Sequence, residues 1–508
     1  MTPGYMLIKK IKNDKGALLV IFSIVIYALV FTWLSILRYQ SFFSVEWEDQ
    51  ATMHQLVWNT AYGNWFVNSI GISGYYFSYH FQPIIFFQGM IYRIFPHIYN
   101  HFFITTFFLA SAALPLYFIS KRLLENKIAA FIISLAYLLY TPLHNINFSD
   151  LDPVVLTIPI LFCILAFIVN DRRDKQSSVA IFFLVVLALM CKEHLGFTIG
   201  LLGVFLMFRR DIRWGLILIV TAVVWLSISL PITLGLNHGQ SLARSINYGS
   251  FGEIVFMPLK NPRGFFEIVF SANHADYILK VFSPLGFLPL FSLISLVAVP
   301  DLALLLCVKG NIEYYQAYFI APAIPFLFVG TVYSIKKIAF FVRKREGGRL
   351  VSVIICSVIL FLNVANLFSR NILGDPKEGK VIYDNKFASA TNIFDPVFYA
   401  IDKEDGVARD LIAMIPQGAS VAASGDLLVA LSNRSCLLEL FNEEYDYCDV
   451  DYILIHTKYI GFGAGDYCMT SPDKIARFVK DLEDSQHWQK LKADGEFILF
   501  RRKAITHE

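Results

Sequence analysis

Five short stretches set ionisable side chains against apolar runs. "SVEWEDQATMHQLVWN" carries Glu46, Glu48 and Asp49, "HFQP" opens on His80, "NFSDLDPVVL" holds Asp150 and Asp152, "CKEHLG" holds Lys192, Glu193 and His194, and Asp301 follows Pro300 inside an apolar run. Charge beside lipid is costly and is mostly kept where it has a function. A carboxylate there can take a proton from a hydroxyl or bind a hard cation, and a lysine or histidine can stabilise negative charge on a phosphate. A bland role competes at each position. Asp152 before Pro153 can cap a helix, which leaves Asp150 for a metal or a sugar hydroxyl. Glu46 and Glu48 fit a solvated face, whereas Asp49 lies nearest the apolar face of its segment. His80 is a metal ligand, a donor to phosphate or only a helix-start residue. Lys192 and Glu193 could form an internal pair that permits a tight turn, but a phosphate-binding or catalytic role is favoured.

The elements that must position these residues are membrane spans. Of 508 residues, 56% are hydrophobic and 16% charged, against about 25% charged in soluble chains. The net charge of +3 offers no argument for a nucleic-acid partner. Cys163, Cys191, Cys307 and Cys356 fall in apolar runs and read as small core residues, which leaves Cys436, Cys448 and Cys468 for redox chemistry. No CxxC or Cys/His metal spacing occurs among them, and their pairing is open.

Charge punctuation separates apolar runs at 16–38, 98–119, 127–142, 153–170, 178–191, 194–208, 214–235, 268–307, 316–335 and 350–368. Placing Lys9 to Lys15, Lys121 with Arg122, Arg172 with Arg173, Arg209 to Arg213 and Lys336 to Arg349 on the cytoplasmic side sets the orientation. The run 80–95 is then an external or re-entrant helix. The run 268–307 must cross twice, turning near "SPLGFLPLFS". The sequence thus predicts a polytopic α-helical membrane protein of about eleven spans over 1–372, multi-pass in the cell membrane. Its N-terminus is cytoplasmic, and its external first loop covers 39–97, where Trp47, Met53, Leu56, Val57 and Trp58 predict an amphipathic helix lying in the interface.

From about Asp375 the spans stop. "GVARDLIAMI" and "SPDKIARFVKDL" read as helices, and "GASVAAS", "CLLEL", "DYILIHT" and a pair ending "GEFILFRR" as strands, so 373–508 is expected to be an extracytoplasmic soluble α/β domain. "GFGAG" at 461–465 lacks the spacing of a nucleotide loop.

The order of these motifs carries a resemblance. An acid ahead of "WN", then "HFQP", "LAYLLYTP" followed by Asp-x-Asp-Pro, "KE", "VPDLALLL", "YYQAYFIAPAIPFL" and "IPQGASVAAS" resemble a prokaryotic membrane family designated domain of unknown function 2079. That family is similar in plan to the GT-C glycosyltransferases, which use polyprenyl-phosphate sugars. The resemblance runs roughly from Asp49 to Leu454. Three positions depart from it: His54 stands where a second acid is common, Asp152 where Asp-Phe-His-Pro has histidine, and His194 where an acid often follows "KE".

The resemblance implies that Asp49 is the general base or a metal ligand. His80, Lys192, Glu193, Asp150, Asp152 and His194 are the candidates for binding substrate, and Lys192 and His80, with an external Arg such as Arg244 or Arg263, could stabilise the departing phosphate. A divalent cation, Mg or Mn, could sit on Asp49, Asp150 and Glu193. The partners implied are a lipid-linked sugar donor and membrane lipids, and the expected reaction is inverting transfer at the outer face. A transporter or flippase for a lipid-linked or anionic substrate would use the same charges as a pathway. A non-catalytic envelope assembly protein is the third reading. The sequence shows no internal repeat of the kind transporters carry, and its large first loop and soluble tail suit an enzyme.

Overall fold

The computed structural model describes residues 12–42, 47–70, 74–149, 151–170, 174–236, 260–269, 272–306, 318–342, 346–368, 393–440, 449–458 and 472–503. The first helix, α1 (Lys15–Gln40), starts where the Asp14 carboxylate accepts from the Gly16 amide at 3.1 Å, a side-chain cap for one of the orphan donors of a helix end. The same carboxylate takes the Tyr117 hydroxyl at 2.9 Å and pairs with Lys121, which ties this end of α1 to a later helix.

The first loop forms α2 (Trp47–Ala61), the two-residue strands β1 (Val67–Asn68) and β2 (Gly74–Tyr75), and α3 (Ile85–Tyr92). At eight residues α3 spans about 12 Å, far short of a bilayer, in keeping with a helix that does not cross. Next come α4 (Ile98–Ser111), α5 (Ala113–Leu124), α6 (Lys127–Leu138) and α7 (Thr141–Phe148). They are followed by α8 (Thr157–Val169), α9 (Lys175–Leu189), α10 (Leu195–Phe208) and α11 (Ile212–Leu236).

The run 268–307 breaks into α12 (Pro262–Val269), α13 (Ala272–Phe282), three 3-10 turns and α14 (Val299–Leu306). Within "SPLGFLPLFS", Gly286 and Phe287 both adopt left-handed backbone conformation. Two long helices, α15 (Ile324–Val342) and α16 (Glu346–Leu367), complete the bundle.

Five helical stretches are long and apolar enough to cross a membrane, namely Lys15–Gln40, Ile98–Leu124, Ile212–Leu236, Ile324–Val342 and Gly348–Leu367, and the α6/α7 pair, bent by 41°, makes a sixth if it is one span. Their outward faces carry Phe22, Trp33, Val223 and Phe361, all exposed, as expected of helices bathed in lipid.

The tail forms α17 (Lys403–Ala413), β3 (Val421–Ala423), α18 (Leu428–Leu431), β4 (Leu437–Glu439), β5 (Tyr452–His456), α19 (Pro472–Asp484), β6 (Trp488–Asp494) and β7 (Phe497–Arg502). The sheet order is β4-β3-β5-β7-β6; β3 runs parallel to both β4 and β5, and β7 antiparallel to β5 and β6. Each helix and strand expected from the sequence of the tail forms.

One expectation is corrected. The helix α2 does not lie in the interface: Ala51, Met53 to Val57 and Asn59 to Ala61 are all buried. Its polar groups are taken up by protein. Gln55 donates to Arg434 O at 3.0 Å and to Ser69 Oγ at 2.8 Å, and Asn59 donates to Val67 O at 2.9 Å. Leu56 and Val57 join one apolar core with Ile85, Leu427, Leu431 and Leu437. The first loop and the C-terminal sheet therefore fold together, with α2 between them.

His54 fastens this junction. Its Nδ1 lies 2.6 Å from Ser432 Oγ and its Nε2 2.9 Å from Tyr92 OH. Because Ser432 Oγ already donates to Val429 O at 2.7 Å, Nδ1–H must donate to Ser432 and Nε2 must accept from Tyr92. Burial pushes the His54 pKa well down, which keeps this neutral tautomer. Replacing His54 by Ala should cost about 1–3 kcal/mol and raise amide hydrogen exchange in α18 and α3 together. Unchanged exchange in either would show that His54 does not join them.

Candidate functional site

The turn between α9 and α10 occupies only Met190 to His194, and neighbours fix it through its backbone. Ile84 N donates to Met190 O and Trp225 Nε1 to Glu193 O, both at 3.2 Å. Lys192 and Glu193 pair as charged residues so placed must, but not with each other. Lys192 is wholly buried, its Nζ 2.6 Å from Asp152 Oδ2 and 4.7 Å from the ring centres of both Tyr318 and Phe319. Asp152 Oδ1 accepts from Val154 N, the cap expected ahead of Pro153, and from Gln82 Nε2, each at 2.8 Å. Glu193 accepts from His80 Nδ1 at 2.8 Å and from Phe81 N at 3.0 Å. Burial would raise the Glu193 carboxyl, but the charge and hydrogen bond of His80, with Lys192 and His194, outweigh it and hold it at about 2.

Two ion pairs thus stand side by side, each knitting "HFQP" to a span end. Among the described residues His80 Nε2 has no partner, and the side chain is 23% exposed. His194 sits next in the chain, 3.6 Å from Asp301, too far for a hydrogen bond, while Asp301 accepts from Thr198 Oγ1 at 2.9 Å.

Asp49 differs from the other acids. It lies in the first turn of α2, which Gln50 ties to the approach to Asp152 by donating to Ser149 O at 3.4 Å. Its side chain meets water, yet protein surrounds it on the scale over which charges act. That enclosure pushes its pKa up, the charge of Asp152 adds to the push, and Lys192 and His80 oppose it. Among the described residues nothing hydrogen-bonds or ion-pairs with it.

Asp49, His80, Asp152, Lys192 and Glu193 therefore occupy one electrostatic neighbourhood, with His194 and Asp301 adjoining. Asp150 and Arg244 lie outside the described residues, as does Glu46, and so does the side chain of Glu48. Arg263 is exposed and paired with Glu267 at 2.9 Å along its own helix.

Several members escaped the sequence reading. Tyr76, buried, feels Asp152, Asp49 and Glu193, and its hydroxyl pKa is pushed well up, by burial first and then by those acids. Gln82 had a signal in being the polar residue inside "HFQP". Arg38, buried at the end of α1, donates to Phe148 O at 2.9 Å and lies 4.9 Å from the Phe148 ring. Leu151 adopts φ +65 between the two aspartates, a strained conformation for a branched residue, of a kind that gathers at functional sites.

Of the three residues expected to hold a divalent cation, Asp150 lies outside the described residues. Among the described residues no three His, Cys, Asp or Glu converge, and both oxygens of Glu193 and of Asp152 are already engaged.

A second polar constellation was not foreseen. Asp426 follows β3 and His456 ends β5, at the carboxyl ends of adjacent parallel strands, and His456 Nδ1 lies 2.7 Å from Asp426 Oδ2. The ring stacks on Phe497 at 4.5 Å. Burial alone would lower the His456 pKa, but the Asp426 bond and charge raise it above the ordinary value. A raised histidine pKa stabilises the fold fully below the unfolded value, about 6.5, and that stability is lost as pH rises through the folded value. Hydrogen exchange of β5 should therefore quicken as pH climbs from about 6.5 beyond the intrinsic pH trend, and Asp426→Asn should remove that excess. An excess that persists in Asp426→Asn would refute the assignment.

Apolar helices long enough to cross a membrane, around a buried acid and base cluster, mark an integral membrane protein. The chain belongs to the family described as predicted membrane protein (DUF2079), which matches residues 38–495. None of the curated proteins matches it.

Proposed function

We propose that the protein is a GT-C-like glycosyltransferase that moves a sugar from a polyprenyl-phosphate donor to an acceptor hydroxyl at the outer face of the cell membrane, with inversion. The observation that supports this most is the isolation of Asp49. Asp152 and Glu193 are each paired with a basic side chain, while Asp49 is open to water and bonded to no described residue. A carboxylate so held can take the acceptor proton as the hydroxyl attacks the anomeric carbon. The bond from that carbon to the phosphate oxygen breaks, and the phosphate departs with the electron pair.

His80 is suited to meet that charge, since Glu193 fixes its Nδ1 and leaves Nε2 to donate to a phosphate oxygen. Lys192, sealed behind Tyr318 and Phe319, acts through space by offsetting Asp152. In this reading the long, bent and short apolar helices, with α13, supply eleven crossings, and the C-terminal sheet is extracytoplasmic.

The test is direct. Full-length protein in lipid nanodiscs, given a panel of labelled polyprenyl-phosphate hexoses and pentoses and a cell-envelope acceptor fraction, should release polyprenyl phosphate and label the acceptor. Movement of intact donor between leaflets without release would mark the protein as a flippase instead.

A further inference from the structure

The α9/α10 hairpin carries the acid cluster at one end and a different feature at the other. At that far end the chain leaves a cleft of about 840 Å³ between the ends of α8, α9, α10 and α11. Its charged lining among the described residues is Lys175, Arg209, Arg210 and Arg213, with Asp211 as the acid. Apolar surface continues the walls: Val179 and Phe182 are exposed, and Ile168 and Ile217 also line the cleft.

The arginines are held there by the fold. Gly203 and Gly215 bring α10 and α11 backbone against backbone, since a Cβ on Gly215 would meet Gly203 O at 2.7 Å and one on Gly203 would meet Gly215 O at 2.8 Å. The hairpin then closes through Arg210 in a left-handed conformation, φ +64, with its amide donating to Met207 O at 2.9 Å. Arg209 donates to the Tyr333 hydroxyl at 3.3 Å.

Charges that serve only to orient a membrane protein need no cavity. Here four cations converge on a concave surface whose sides are apolar and open to lipid. That pairing suits an amphiphile with an anionic head, and arginine fits phosphate oxygens with two donors at once. At 15 residues, α9 is about 22 Å long, shorter than a bilayer core, so the cleft is drawn toward the level of the phosphates.

We infer that this cleft is a binding site for an anionic phospholipid of the leaflet opposite the Asp49 cluster, the phosphate on Arg209, Arg210 and Arg213 and an acyl chain along Val179 and Phe182. Basic pockets between spans commonly hold such headgroups.

The full-length protein in phosphatidylcholine nanodiscs containing a minor fraction of phosphatidylglycerol should, after extraction, retain phosphatidylglycerol over phosphatidylcholine by roughly tenfold or more, as read by native mass spectrometry. Arg209→Gln, Arg210→Gln and Arg213→Gln together should abolish the preference. Val179→Trp, which sets a bulky ring on the apolar wall where the acyl chain would lie and leaves every charge in place, should diminish it too, and so separates loss of the site from any change in membrane orientation. Glycerol phosphate or inorganic phosphate in solution should not displace the lipid; displacement would identify a soluble anion as the ligand and overturn the lipid assignment. Equal retention of the two lipids, or an undiminished preference in Val179→Trp, would equally overturn it.

Discussion

Asp49→Asn should reduce sugar transfer by roughly 10² to 10⁴-fold while leaving the protein at least as stable as the wild type. The stability half of the statement follows from the surroundings: no described residue hydrogen-bonds or ion-pairs with the carboxylate, so no bond is lost. The burden of enclosing a charge, which pushes its pKa up, is removed. The activity half follows from chemistry, because an amide of nearly the same shape accepts a hydrogen bond but takes no proton.

The wild-type pH profile carries a related signature. With the Asp49 pKa raised, the acidic limb of kcat/KM should lie above the usual carboxylate value near 4. It should vanish in whatever residual rate Asp49→Asn retains. Full activity in the variant would remove Asp49 from the reaction, whatever its effect on folding.

Lys192→Met should be the most destabilising single change near the cluster. Lys192 and Asp152 are buried to 0% and 2% exposure and lie 2.6 Å apart. Removing one partner of such a pair costs roughly 3–5 kcal/mol, because the other charge is left enclosed without compensation. Asp152→Asn should cost less than Lys192→Met, because an amide oxygen can still accept from Val154 N. Combining the two changes should recover part of the loss, as both charges are then gone.

Thermal midpoints of the four proteins in one detergent would show this coupling, and strict additivity would mean the pair does not act as a pair. Activity adds a second readout. If Lys192 also offsets negative charge near Asp49, the double variant should regain stability without regaining full transfer.

The sequence showed which residues matter more clearly than how they pair. Burial cost alone singled out Lys192, Glu193 and Asp152, since charge among apolar runs needs an explanation wherever the chain goes. The partners could not be read, because Lys192 meets Asp152 across forty residues and Glu193 meets His80 across more than a hundred, and periodicity carries no information about such contacts. The tail was legible because its strands are short, apolar and bounded by turn residues.

The helix α2 was misread for a physical reason. Its apolar stripe is the same whether lipid or protein covers it, and only the polar groups His54, Gln55 and Asn59, all bonded to protein, reveal which. His54 stands where related chains often carry an acid, yet it belongs to the junction with the sheet and not to the acid cluster. A substitution that looked like altered chemistry is a change in how two parts are joined.

The burial of α2 between the membrane helices and the C-terminal sheet bears on any attempt to reduce the protein to a smaller working core. The segment bearing Asp49 is gripped by two jaws, and one of them is encoded more than 350 residues later. Cutting the chain after α16 would leave Leu56, Val57 and Gln55 facing water, and the carboxylate would lose its fixed aim while every residue around Lys192 stayed in place.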